Sequence, residues 1–167
     1  MIVRSSNLAT NLVLGLCPPK EVQAFVDALG APGVKVRRMV ADERAYEAGL
    51  SNETDAEGMA ALMEAAVRTP KLSAEARRTA WEVLAAQELN DQIPAGIPRQ
   101  AGAVVAHKTG SISKVQHDAA VVRLPDGREY VLVLLATDFG ASEEGRQRVV
   151  EATRRMSRAV WEALIAP

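Results

Sequence analysis

The sequence holds one cysteine in 167 residues, so no internal disulfide can brace it. With only two histidines beside that thiol, no zinc cluster of recognisable spacing can be assembled. Aromatic side chains make up 4% of the chain, so its core has to be built from Ala, Val, Leu and Met. Neither sign of charge dominates: 20 Lys and Arg stand against 21 Asp and Glu, a net charge of −1. That balance argues against a nucleic-acid or acidic-membrane surface built on bulk charge. The longest apolar run, Val131 to Ala136, is far short of a membrane span. Met1-Ile2-Val3-Arg4 passes directly into polar Ser5-Ser6-Asn7, which is not the pattern of a signal peptide.

What remains is 48% hydrophobic and 25% charged, the balance of a soluble globular chain with room for one domain or slightly more. The first half reads as helices. Leu8, Leu12, Val13 and Leu16 form one helical stripe within 7–16, and Pro18-Pro19 ends that segment. Val22, Phe25, Val26 and Leu29 repeat the pattern, with Gly30 at the helix-ending position. From 31 to 53 the pattern dissolves into a long charged connection, a length that in a compact domain is usually functional or mobile. Thr54-Asp55-Ala56-Glu57 reads as a capping box, followed by a buried stripe of Met59, Leu62, Met63, Ala66 and Val67. Ser73 is the expected cap of a helix over 74–89 anchored by Trp81 and Leu84, and 93–98 reads as a stiff, non-helical linker. The period then changes. Segments 103–109, 118–124 and 129–136 read as strands, the last two joined through Pro125-Asp126-Gly127. Ser142-Glu143-Glu144 opens a long final helix whose Arg146, Arg148, Arg154, Arg155 and Arg158 alternate with glutamates, the pattern of a solvated face. The layout is α+β, a helical cluster followed by a three-stranded antiparallel meander and a C-terminal helix. A partial helical subdomain over 1–98 and a partial α/β subdomain over 99–167 are expected.

Two short motifs stand out. Ser5-Ser6-Asn7 opens the first helix, and Lys108-Thr109-Gly110-Ser111 ends the first strand. Together, at this separation, they resemble the second and third motifs of the class A beta-lactamases and penicillin-binding proteins. Ser5 to Leu12 is similar to that family's S-D-N helix, including its second Asn at Asn11. Asn52 to Ala56, Ile93 to Pro98, Asp118 and the Pro125-Asp126-Gly127 hairpin follow in family order. The resemblance covers essentially the whole chain and implies a beta-lactamase-like fold, incomplete at its N-terminus. It also implies roles. Opening a beta-lactam or a D-Ala-D-Ala peptide needs a serine nucleophile, a proton shuttle, an oxyanion hole and a carboxylate clamp. By resemblance Ser5 relays a proton to the leaving nitrogen, and Lys108 orients Ser5. Asn7 holds a substrate amide, and Thr109 and Ser111 bind its carboxylate. The backbone N–H of Ser111 is then one oxyanion donor, and Gly110 leaves room for the substrate. No cofactor is implied. The implied ligands are a beta-lactam or cell-wall peptide, and the implied location is periplasmic or extracellular.

The resemblance also has gaps. The family's first motif, S-x-x-K, lies ahead of its S-D-N helix and has no counterpart ahead of Ser5. The one literal string, Ser111-Ile112-Ser113-Lys114, falls where a strand or turn is expected rather than a helix turn. The chain alone is therefore expected to be inactive. The glutamate that deacylates lactamases has only near misses in Asp42, Glu43 and Glu47. His107 and His117 read as structural, without acidic or thiol partners, and Cys17 as an inert thiol. An unpaired apolar last strand is expected to drive strand pairing or domain swapping. Two functions stay open: part of a serine acyl hydrolase, or a non-catalytic binding module on the same scaffold.

Overall fold

The computed structural model describes residues 1–140 and 142–165. The chain runs α1 (Asn7–Leu16), α2 (Pro19–Leu29), α3 (Glu43–Glu47), α4 (Ala56–Arg68), α5 (Ala74–Ala85) and a single-turn α6 (Ile93–Gly96). It continues through β1 (Val104–Ile112), β2 (Val115–Arg123), β3 (Glu129–Thr137) and α7 (Glu143–Ile165). This is the α+β order expected from the pattern. The sheet is an antiparallel meander in the order β1-β2-β3.

Alternation along the strands sorts side chains to two covered faces. Ala106, Ala119 and Val121 pack against Met63 and Leu84 of α4 and α5. Ala120 and Val122 pack on the opposite face against Ile93, Ile97 and Trp161. Helices on both faces explain why these strands read as nearly continuous apolar runs. A third cluster, Val26, Ala31 and Val34, joins α2 to the start of the long connection.

Several local expectations are corrected by tertiary contacts. Strands β1 and β2 extend through Gly110, Ser111, Gln116 and His117, leaving only a tight turn at 113–114. The cap of α4 is Asp55, whose Oδ1 accepts from the Gly58 N–H at 2.6 Å, while the Thr54 hydroxyl donates to the Asp55 carbonyl. A bridge in which Lys35 and Glu53 exchange both backbone bonds holds the chain extended up to that point. Helix α5 ends at Ala85 rather than Leu89, because the residues beyond it hold the N-terminal segment. The Glu88 N–H donates to the Val3 carbonyl and Gln87 Nε2 to that of Ile2. The 93–98 linker contains one helical turn, with Pro94 in its first turn, where a missing N–H costs nothing.

The connection over 31–53 is not loose. It carries α3, capped by Asp42, whose Oδ1 accepts from the Ala45 N–H. The amide of Asn11 donates to the Val40 carbonyl at 2.8 Å and accepts from its N–H at 2.9 Å. The stripe on α1 is the other departure. Leu8, Leu12 and Leu16 are 72%, 66% and 88% exposed, so no described element covers that face.

Candidate functional site

Ser5 and Lys108 are brought together from 103 residues apart: Lys108 Nζ donates to Ser5 Oγ at 2.7 Å. The ammonium also donates to the Thr109 carbonyl. Lys108 is half-buried, and that burial pushes its ammonium below the ordinary lysine value against the pull of the Asp118 carboxylate. An exposed hydroxyl held by a destabilised ammonium is suited to pass protons between a bound molecule and the amine.

Ser5 sits at φ 51, a left-handed conformation that costs a non-glycine residue roughly 1–2 kcal/mol. The strain is held by bonds on both sides. The Ser5 and Ser6 N–H groups donate to the Ile2 and Met1 carbonyls, while Gln87 and Glu88 grip Ile2 and Val3. Ser6, not Ser5, caps α1 by accepting from the Ala9 N–H at 3.2 Å. Ser5 is therefore spared from capping and presented to Lys108.

Thr109, Gly110 and Ser111 follow on the edge strand β1. Thr109 is buried and lines a cleft of about 300 Å³ with Asn90, Gln92, Gln116 and Arg146. Ser111 is exposed, and its hydroxyl donates to Gln116 Oε1 at 2.7 Å, directly across the β1–β2 pair. A Cβ added at Gly110 would meet only His117, at ordinary contact distance. The fold itself therefore does not demand glycine there. Asn7 is exposed at the first residue of α1. The string Ser111 to Lys114 occupies the end of β1 and its turn, so Ser111 and Lys114 do not share a helix face. Of the three acidic candidates, Asp42 is spent on its cap, while Glu43 and Glu47 lie exposed on α3. Among the described residues, no three His, Cys, Asp or Glu side chains gather as a metal site.

The reading of His107 as a residue without acidic partners is corrected. His107 and Asp118 are both fully buried, with Nδ1 2.9 Å from Asp118 Oδ1, and Nε2 lies 3.0 Å from Asn90 Oδ1. Sequence spacing hid this contact because it depends on register. Asp118 stands opposite Thr109, which places it diagonally beside His107 on the same face. His117 faces the other side, where its Nδ1 accepts from the Ala136 N–H. Burial pushes its ring below the ordinary histidine value, opposed by a backbone bond at Gln116.

Helices over both faces of an antiparallel meander, with Lys-Thr-Gly-Ser on an edge strand against Ser-x-Asn at a helix start, define a beta-lactamase-like serine hydrolase fold. The family model described as "Beta-lactamase enzyme family" matches residues 1–164, and the chain belongs to that family. Among solved structures it is similar to PBP-A, with a TM-score of 0.84 and 27% identity over 98% of this chain and 58% of that one. It is also similar to a PBP-A mutant in an acyl-enzyme complex with penicillin-G, with a TM-score of 0.80 and 26% identity over 98% of this chain and 59% of that one. A class A beta-lactamase from Mycobacterium abscessus gives a TM-score of 0.80 and 26% identity over 96% of this chain and 62% of that one. The chain thus spans about three fifths of the length of these structures. No curated protein matches it.

Proposed function

We propose that this chain forms one wall of a serine acyl hydrolase site acting on beta-lactams or D-Ala-D-Ala peptides, completed by a segment that carries S-x-x-K. The observation behind this reading is the bond from Lys108 to Ser5, which joins the two motifs in one place. Ser5 passes a proton toward the leaving nitrogen, and Lys108 steadies that hydroxyl and favours an anionic substrate. Asn7 holds a side-chain amide. Thr109 and Ser111 receive the carboxylate, for which the Ser111 hydroxyl exchanges its bond to Gln116. The backbone N–H of Ser111 serves the oxyanion, and Gly110 keeps the strand surface free of a Cβ.

Because none of Asp42, Glu43 and Glu47 matches the family's deacylating glutamate, turnover of the acyl-enzyme is slow, closer to a penicillin-binding protein than to a lactamase. The completed protein works in the periplasm or outside the cell. Among the described residues, no helix is long and apolar enough to cross a membrane.

A fluorescent penicillin tests the reading, offered to the chain alone and to the chain co-expressed with the S-x-x-K segment of a relative such as PBP-A. The expected adduct appears only in the pair, on the serine of the added segment. Ser5→Ala then slows acylation by roughly 100-fold, the usual worth of a positioned proton relay. An adduct on this chain alone overturns the proposal. Reversible binding with no adduct in either sample supports instead a non-catalytic binding module on the same scaffold.

A further inference from the structure

The buried contact behind Lys108 is bounded by hydrogen bonds that constrain where its protons sit. Asn90 Nδ2 donates to the Gln87 carbonyl at 2.9 Å, which fixes the amide orientation and turns Oδ1 toward His107. A flipped amide would set oxygen against the Gln87 carbonyl oxygen. Nε2 of His107 therefore faces an acceptor and carries a hydrogen. Nδ1 faces a carboxylate whose other oxygen, Oδ2, accepts from the Ile93 N–H at 3.0 Å. An ionised Asp118 satisfies both donors at once. The charged or titratable neighbours are Asp118 on β2 and Lys108, which is adjacent in β1 but projects to the opposite face. The nearby α5 side chains Trp81 and Leu84 are apolar and belong to the other face.

We propose that His107 is a doubly protonated imidazolium, clamped between Asp118 and Asn90, and that it positions the two halves of the Ser5–Lys108 contact. The linkage can be followed bond by bond. His107 immediately precedes Lys108 on β1, and its ring is bonded to Asn90. Asn90 is bonded to Gln87, and Gln87 Nε2 donates to the Ile2 carbonyl. The Ile2 carbonyl also receives the Ser5 N–H. Hydrogen bonds joined through the Gln87 residue itself therefore link the residue before Lys108 to the strained turn that presents Ser5. His107 touches no reacting atom in this arrangement; it is a positioning residue. That part of the inference deepens the reading of Ser5 and Lys108 as a site, whereas the protonation state stands on geometry alone.

Nitrogen-15 NMR of the intact, histidine-labelled chain at about pH 7, near the ordinary titration range of histidine, reads the first half directly. Both ring nitrogens of His107 are expected to show protonated shifts. A ring nitrogen without a proton overturns the proposal. Asn90 is exposed, so its substitution removes no packed apolar side chain. Asn90→Leu is expected to strip the Nε2 proton and shift the Ser5 and Lys108 side-chain resonances, whereas Asn90→Asp, which accepts from Nε2 but cannot donate to the Gln87 carbonyl, restores only the proton. If Asn90→Leu lowers the melting temperature but leaves the Ser5 and Lys108 signals in place, the network is merely structural and the positioning role is overturned. None of these readouts depends on acylation, so they stand apart from the outcome of the penicillin experiment.

Discussion

At the scale of single residues, the site carries its own cost in stability. Lys108 holds a charge that burial disfavours, so removing the charge relieves the fold while it disarms Ser5. Lys108→Met is expected to raise stability by up to about 1 kcal/mol at neutral pH, as measured by urea unfolding. The sign of its pH dependence follows from the lowered value. As pH rises into the alkaline range, the folded protein releases the Lys108 proton before the unfolded chain does, which stabilises the wild type. The advantage of Lys108→Met must therefore shrink on the alkaline side. Tyr130 offers a control without a function. Its hydroxyl is buried without a hydrogen-bond partner among the described residues, and burial pushes it up to about 12. Tyr130→Phe removes an unpaid desolvation and should gain about 1 kcal/mol by the same unfolding measurement, with no effect on any ligand bound at Thr109.

Among elements, the joints between helices and sheet rest on a few charged or close-fitting residues. Glu129 at the start of β3 accepts from Arg68 of α4 at 2.7 Å and from Arg123 of β2 at 2.6 Å. The Arg123 guanidinium lies 3.7 Å over the Trp81 ring of α5. Burial opposes ionisation of Glu129, yet the two arginines more than offset it and hold the carboxyl below its usual range. Glu129→Gln should cost about 2 kcal/mol near neutral pH. That stabilisation is present above the ordinary glutamate value and is lost as pH falls through the lowered one, so the two proteins should converge in acid. The α6–α7 joint is steric. A Cβ on Gly96 would lie 2.5 Å from the Arg154 carbonyl oxygen, so Gly96→Ala should lower the melting temperature with an overpacking penalty of about 1–3 kcal/mol. These joints also mark where the sequence stopped being legible. The helix stripes, the strand segments and the Pro125-Asp126-Gly127 turn follow from local periodicity and turn chemistry, and Gly127 does adopt φ 86. The end of α5 and the His107–Asp118 pair depend on partners far along the chain, which no local pattern encodes. Ser5 and Lys108 were legible as motifs, and the resemblance implied their contact; what it did not reveal is that Gln87 and Glu88 hold the first residues in place.

For the whole molecule, the decisive feature is apolar surface and strand edge without cover. On α1, Leu8, Leu12, Val13 and Leu16 are exposed on a helix whose polar Asn11 is committed to the 31–53 connection. Strand β3 is paired only on its β2 side among the described elements, with Val131 to Leu135 along the open edge. Exposed apolar stripes and unpaired apolar edges both favour association, and β3 offers a backbone template to a second copy. In the completed hydrolase proposed above, the added segment covers this surface; the chain by itself has only other copies to use. Analytical ultracentrifugation over a concentration series should therefore show a dimer or larger species. One variant separates the contributions, because it disturbs no packed core. Leu12→Lys with Leu16→Lys charges the open face of α1. It should shift the population toward monomer without lowering the melting temperature. If the wild type stays monomeric at high concentration, the idea fails. If the double lysine variant dimerises as strongly as the wild type, association runs through the β3 edge alone, and co-expression with the S-x-x-K segment should then be the condition that abolishes it.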